Sequence, residues 1–176
     1  MPDAALQRFN VSIANRQRVR AINSRLLRRI VQTLLSELPQ VRHADLGIRL
    51  VAGPEMTRLN ETFLRHAGST DVVTFDYSDD VAHLGSEGIL GAPHASALQG
   101  EIVICLDEAV AQASRYRTTW HAELVRYTIH GILHLLGFDD LKPAARRKMK
   151  REESRWLRKL ARRFTLTRLA RRRANL

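Results

Sequence analysis

The stretch His130-Gly131-Ile132-Leu133-His134-Leu135-Leu136-Gly137-Phe138-Asp139-Asp140 constrains this 176-residue chain more than any other. Val125, Ile129, Ile132 and Leu136 recur at i, i+4, i+7 and i+11, so a helix over about 119–136 turns one stripe into a core. Glu123, Tyr127, His130 and His134 follow the same spacing on a second stripe. The two imidazoles therefore stand one turn apart on one face, at the rim of whatever the helix buries. Gly137 breaks the helix and lets Asp139 or Asp140 return toward that face. Two histidines and a carboxylate so placed can hold one metal ion. The ligand spacing matches the extended zinc motif H-E-x-x-H-x-x-G-x-x-H. Residue 131 is Gly where those peptidases carry their glutamate base, so the spacing supports a metal and argues against a peptidase. Three protein ligands leave a fourth position open, as a catalytic zinc requires.

The remaining pattern alternates strands and helices early and is helical late. Strands are predicted over 9–14, 46–51, 71–76 and 100–105, with a short one near Ile89-Leu90 inside an irregular loop over 77–99. An amphipathic helix is predicted from Ile22 to Leu38, stopped by Pro39, and a second over 54–66 with Met56, Leu59, Phe63 and Leu64 inward. Asp107 is expected to cap a helix reaching about Tyr116. A last helix over 143–163 starts at Pro143 and turns Met149, Trp156 and Leu160 inward. Together these predict an α+β fold: a small mixed β-sheet packed with about five helices, the metal site on a central helix and the loop after it. Residues 1–164 are read as a single domain and 165–176 as a flexible basic tail.

Charge is distributed unevenly. Residues 142–176 hold fifteen of the 29 Lys and Arg and only two acids, Glu152 and Glu153, whereas the rest of the chain is close to neutral. A basic block of this kind favours polyanions, nucleic acid first, and Arg168, Arg171, Arg172 and Arg173 are its candidate RNA contacts. No run approaches the roughly 20 apolar residues of a membrane span, so no membrane partner is expected. The single cysteine, Cys105, precludes an internal disulfide and lies in an apolar run; a reducing, cytoplasmic setting is the expectation.

His130-Gly131-x-Leu133-His134-Leu135-x-Gly137-Phe138-Asp139 resembles the signature of the YbeY family, zinc-dependent endoribonucleases of bacterial rRNA maturation. Leu59-Asn60-x-x-Phe63-x-Arg65, Ser69-Thr70-Asp71-Val72-Val73-Thr74-Phe75 and Gly100-Glu101-Ile102-Val103-Ile104 are similar to further blocks of that family. The resemblance spans roughly 9–160 and excludes the basic extension. It implies single-strand-specific, metal-dependent RNA cleavage in 16S rRNA 3′-end maturation and ribosome quality control, with one Zn2+ per chain and rRNA in the small subunit as partner. DNA specificity is not expected. It also implies that Arg65 serves catalysis by meeting the extra charge on phosphorus. One position departs: the family's third ligand is a histidine where this chain has Asp140. The expected ligand set is therefore His130, His134 and Asp140, with Asp139 as the substitute. No general base is identifiable from the pattern. A non-catalytic RNA- or ribosome-binding assembly factor with a structural metal is the alternative function.

Overall fold

The computed structural model describes residues 8–64, 67–78 and 97–171. Four strands form one mixed sheet: β1 (Arg8–Asn15), β2 (His43–Val51), β3 (Val72–Asp76) and β4 (Ala97–Cys105), in the order β1-β2-β4-β3. β1, β2 and β4 run parallel, and β3 closes one edge antiparallel to β4, with Val73 opposite Val103. Among the described residues, five α-helices join the sheet in an α+β architecture: α1 (Ser24–Glu37), α2 (Gly53–Leu59), α3 (Leu106–Tyr116), α4 (Trp120–Leu135) and α5 (Pro143–Arg163).

Period-two alternation assigns the strand side chains to two unequal cores. Leu46, Ile48, Leu50, Ile102 and Ile104 join the inward stripes of α1, α4 and α5 in the larger core. Val51, Val73, Val103 and Cys105 gather around Met56 of α2 on the other face. Two glycines let α4 lie close on the sheet. A Cβ on Gly131 would sit 2.6 Å from Cγ2 of Ile102, and one on Gly100 would sit 2.6 Å from the Phe75 carbonyl and 3.0 Å from Leu135. Position 131 thus faces the sheet, where no side chain fits and no catalytic base could project. Asn23 caps α1 by accepting from the Leu26 N–H, and Thr119 caps α4 by accepting from the Ala122 N–H.

Three expectations need correction. Asp107 lies inside α3, not at its cap; its carboxylate accepts from the Gly53 N–H at 2.6 Å and ties α2 to α3. The second helix changes to a π-helical turn over Asn60–Leu64. That widened turn rotates Phe63 off the inward stripe, leaving it 58% exposed and edge-on to Phe75 at 5.3 Å. The chain does not leave the body at 165. A 3-10 turn, Leu166–Leu169, buries Leu169 completely, and Ala170 bridges Ile22, because this short apolar stretch fills the gap at the start of α1. His121 has both ring nitrogens buried, and burial pushes its pKa down. The strand expected near Ile89-Leu90 and the side chain of Leu64 lie outside the described residues.

A candidate metal centre and its cleft

α4 ends in a turn that assembles the site. Gly137 adopts φ +84°, the left-handed conformation that glycine takes without steric cost. Its N–H donates to the His134 carbonyl at 2.9 Å, and the Phe138 N–H donates to the Leu133 carbonyl at 3.0 Å. This paired reversal is the Schellman end of a helix. It carries the Phe138 carbonyl back to His134, whose Nδ1 donates to it at 3.0 Å. It also carries Asp140 back over both rings, with one carboxylate oxygen 3.9 Å from His130 Nε2 and the other 3.9 Å from His134 Nε2. Asp139 stays on the exposed side, and its carboxylate accepts from the Leu141 N–H at 2.8 Å to close the turn. Of the two aspartates, the fold brings Asp140 to the histidines, and those three residues form the one metal-compatible group among the described residues.

The hydrogen bonds fix the tautomers. A carbonyl can only accept, so His134 Nδ1 carries its proton. His130 Nδ1 donates at 2.6 Å to the Glu153 carboxylate, reached from α5. In the neutral rings both Nε2 atoms then present lone pairs, and they face each other at 2.9 Å. Two lone pairs at that distance repel unless a proton or a cation lies between them. A tetrahedral ion with bonds of about 2.0–2.1 Å separates its donor atoms by about 3.3 Å. The separations of 2.9, 3.9 and 3.9 Å straddle that value, so the three side chains fit such an ion with small rotations.

Electrostatics around His130 point the same way. Burial works against its charged form, but the hydrogen bond and charge of Glu153, with the charges of Asp71 and Asp140, outweigh it and raise the pKa. Glu153 is itself braced: Arg126 approaches it at 3.9 Å and Glu123 at 3.4 Å, and Glu123 also accepts from the Thr118 hydroxyl at 2.6 Å. Glu153 stands outside the candidate residues named from the sequence. The signal that could have found it is its place on the Met149–Trp156–Leu160 stripe, where an acid needs a partner.

A cleft of about 360 Å3 opens beside the cluster, lined by His130 and Asp140 together with Asp71, Arg126, Tyr127 and Lys150. The Tyr127 hydroxyl is buried with no hydrogen-bond partner among the described residues. Burial, with the charges of Asp71, Glu123 and Glu108, pushes its pKa far up, so it stays a protonated donor. A larger hollow of about 690 Å3 between Arg8, His43 and Asp45 touches none of the candidate ligands, so the chemistry points to the smaller one. Arg65, Arg172 and Arg173 lie outside the described residues. Arg168 and Arg171 do not line the cleft; Arg171 lies beside Asn23 and Arg25 at the start of α1.

The family model of endoribonuclease YbeY matches residues 12–161. The endoribonuclease YbeY of Chlorobium phaeovibrioides is 36% identical over 139 residues, spanning 79% of this chain and 83% of that one. That of Salinibacter ruber is 31% identical over 148 residues, spanning 84% and 89%. A Thermotoga maritima protein solved in solution has the same fold, with TM-score 0.55 at 23% identity over 90% of this chain and 93% of the other.

Proposed function

Because the chain belongs to the endoribonuclease YbeY family, we propose that it is a zinc-dependent endoribonuclease that cuts single-stranded RNA at the His130–His134–Asp140 cluster. Family membership carries the RNA-cleaving activity. The ion and its ligands rest on one observation: two imidazole Nε2 atoms facing each other at 2.9 Å, with a carboxylate oxygen 3.9 Å from each. Two imidazoles and a carboxylate are a donor set within zinc's repertoire, and a three-residue set leaves room for substrate. When bound, the ion supplies Lewis acidity to a phosphoryl oxygen and acidifies water.

The chain's own groups do the rest. Glu153 and the Phe138 carbonyl hold the two Nδ1 protons and so aim both Nε2 atoms at one point. Asp140 adds a negative charge that three neutral imidazoles would not, which tempers the acidity of the ion's open position. Arg65 is assigned to the charge that builds on phosphorus, on the strength of its match to the Leu59-Asn60-x-x-Phe63-x-Arg65 block. Tyr127 lines the cleft and keeps its buried hydroxyl protonated. The single-strand preference rests on the family resemblance alone. The family resemblance supports 16S rRNA 3′-end maturation, quality control on the small subunit and a cytoplasmic setting. The excess of positive charge supports RNA contacts at Arg168, Arg171, Arg172 and Arg173. The body through Arg171 is read as one hydrolase domain.

Bound zinc and RNA cleavage, measured together on the unsubstituted protein, His130→Ala and Asp140→Ala, test this. One zinc per chain and cleavage are expected in the first, with loss of both in the variants. Full zinc in Asp140→Ala removes that residue from the ligand set. Intact RNA with the zinc-loaded, unsubstituted protein overturns the catalytic reading in favour of an assembly factor.

A further inference from the structure

We propose that the outer face of α5 is a rail for the RNA backbone, with Arg147, Arg151, Arg158 and Arg162 each holding a phosphate of the strand that enters the cleft. This rests on the RNA reading above and adds to it a surface outside the metal site. The buried residues Met149, Glu153, Trp156 and Leu160 define the inward side of the helix. At 3.6 residues per turn, positions 147, 151, 158 and 162 fall on one narrow stripe opposite it. All four arginines are exposed, and among the described residues none is in an ion pair or a side-chain hydrogen bond. Their basic neighbours differ. Arg155 pairs with Glu152 at 2.8 Å, while Lys159 and Arg163 pair with Glu37 at 2.7 and 2.8 Å. The acids available to the helix neutralise its flanks and leave the stripe uncompensated.

The stripe is unfavourable for the helix that carries it. Arg147 and Arg151, and again Arg158 and Arg162, are like charges at i, i+4, which repel. The first turn of α5 has no acid, although acids suit a helix N-terminus and cations do not. A bound polyanion relieves both penalties. The geometry also fits a strand: the stripe runs about 22 Å along the helix. Its first arginines adjoin Arg146 and Lys150, which line the cleft. Guanidinium groups take phosphate oxygens in pairs, in the arrangement a backbone presents. A lipid surface fits poorly, because an interfacial helix must bury an apolar face in the bilayer. The apolar face of α5 is already committed to the protein core.

The test uses the zinc-loaded full chain and a labelled 2′-O-methyl oligoribonucleotide of about twenty residues, with affinity measured across salt concentrations. The comparison is with the variant carrying Arg147→Gln, Arg151→Gln, Arg158→Gln and Arg162→Gln, because glutamine keeps the helix propensity. Each lost phosphate contact on a single strand reduces the slope of log K against log salt by about 0.7, so a slope shallower by about 3 is expected. Zinc content should match the parent, and the thermal transition should be no lower, because the like-charge repulsion is removed. An unchanged slope in a folded, zinc-loaded variant overturns the rail and leaves the metal reading standing. A shallower slope supports the rail even if the zinc-loaded parent fails to cut RNA, which would count against the catalytic site alone. Absence of RNA binding by the parent at low salt overturns the rail together with the RNA reading. Tight binding to phosphatidylserine vesicles with an unchanged RNA slope also overturns it.

Discussion

The two sides of α5 carry the same helix to opposite ends. Its inward side delivers one acid, Glu153, to one imidazole nitrogen at 2.6 Å, inside a part-buried contact between α4 and α5. Its outward side spreads four arginines in water with no partner among the described residues. On the first side, position matters to a fraction of an ångström and charge is local. On the second, only total charge and spacing matter, and salt screens both. The difference predicts that substitutions on the inward side act through geometry, and those on the outward side through ionic strength.

The largest effect belongs to the packing that holds the inward side in place. Trp156 is buried to 3% exposure in the core shared by α1, α4 and α5, with Lys159 and Arg155 against its ring at 4.9 and 5.1 Å. Trp156→Ala should cost about 3–5 kcal/mol. For a chain of this size that lowers the melting temperature by roughly 6–20 °C, measurable by calorimetry. If stability were unchanged, α5 would not be a structural wall of the site and the contrast between its sides would fail.

How much of this could be read from residues alone follows from the range of each interaction. The half-buried His130–His134 pair on α4, the break at Gly137 and the start of α5 at Pro143 are local, set by periodicity and backbone preference, and they emerge where expected, whereas burial on α4 reaches Glu123 and Tyr127 of the histidine stripe as well. The choice of Asp140 over Asp139 depends on the direction the chain takes after a Schellman turn, which spacing leaves open. Glu153 meets His130 across 23 positions of sequence, through a helix–helix contact that no local pattern encodes. Phe63 was misplaced because the π-helical turn at Asn60–Leu64 changes the period on which its inward assignment depended. The docked segment around Leu169 was hidden by its arginines, which dominate composition while one leucine determines where the backbone goes.

A smaller effect separates the role of Glu153 in aiming His130 from a merely structural one. Glu153→Gln keeps the shape and removes the charge, and loss of such a partner costs about 10–100-fold in metal affinity. Its pH dependence carries the sign. Zinc held as proposed would need the His130 Nε2 lone pair, so protons would compete as the pH falls through the His130 pKa. That pKa lies above the ordinary imidazole range, because the carboxylates outweigh burial. Competition in the parent therefore begins at a higher pH than for an ordinary histidine. Removing the Glu153 charge lowers the pKa, and the variant is less affected by acid. The affinity ratio of parent to variant should be greatest at alkaline pH and shrink as the pH falls, in zinc titrations across the range. A ratio independent of pH would show that Glu153 only packs.

The smallest effect lies on the outward side, where it is most diagnostic. Arg158 is exposed, makes no described pair and lies near the middle of the stripe, far from the cleft mouth. Arg158→Gln should change stability by no more than about 0.5 kcal/mol, as for other surface changes. Its signature is a salt slope for RNA shallower by about 0.7, with zinc affinity and its pH profile as in the parent. Glu153→Gln should do the reverse, shifting the zinc profile and leaving the salt slope alone. A single residue that moved both readings would mean that strand binding and metal geometry are coupled through α5. The helix would then transmit contacts on its arginine side to the His130 ring, and its two sides would not be independent.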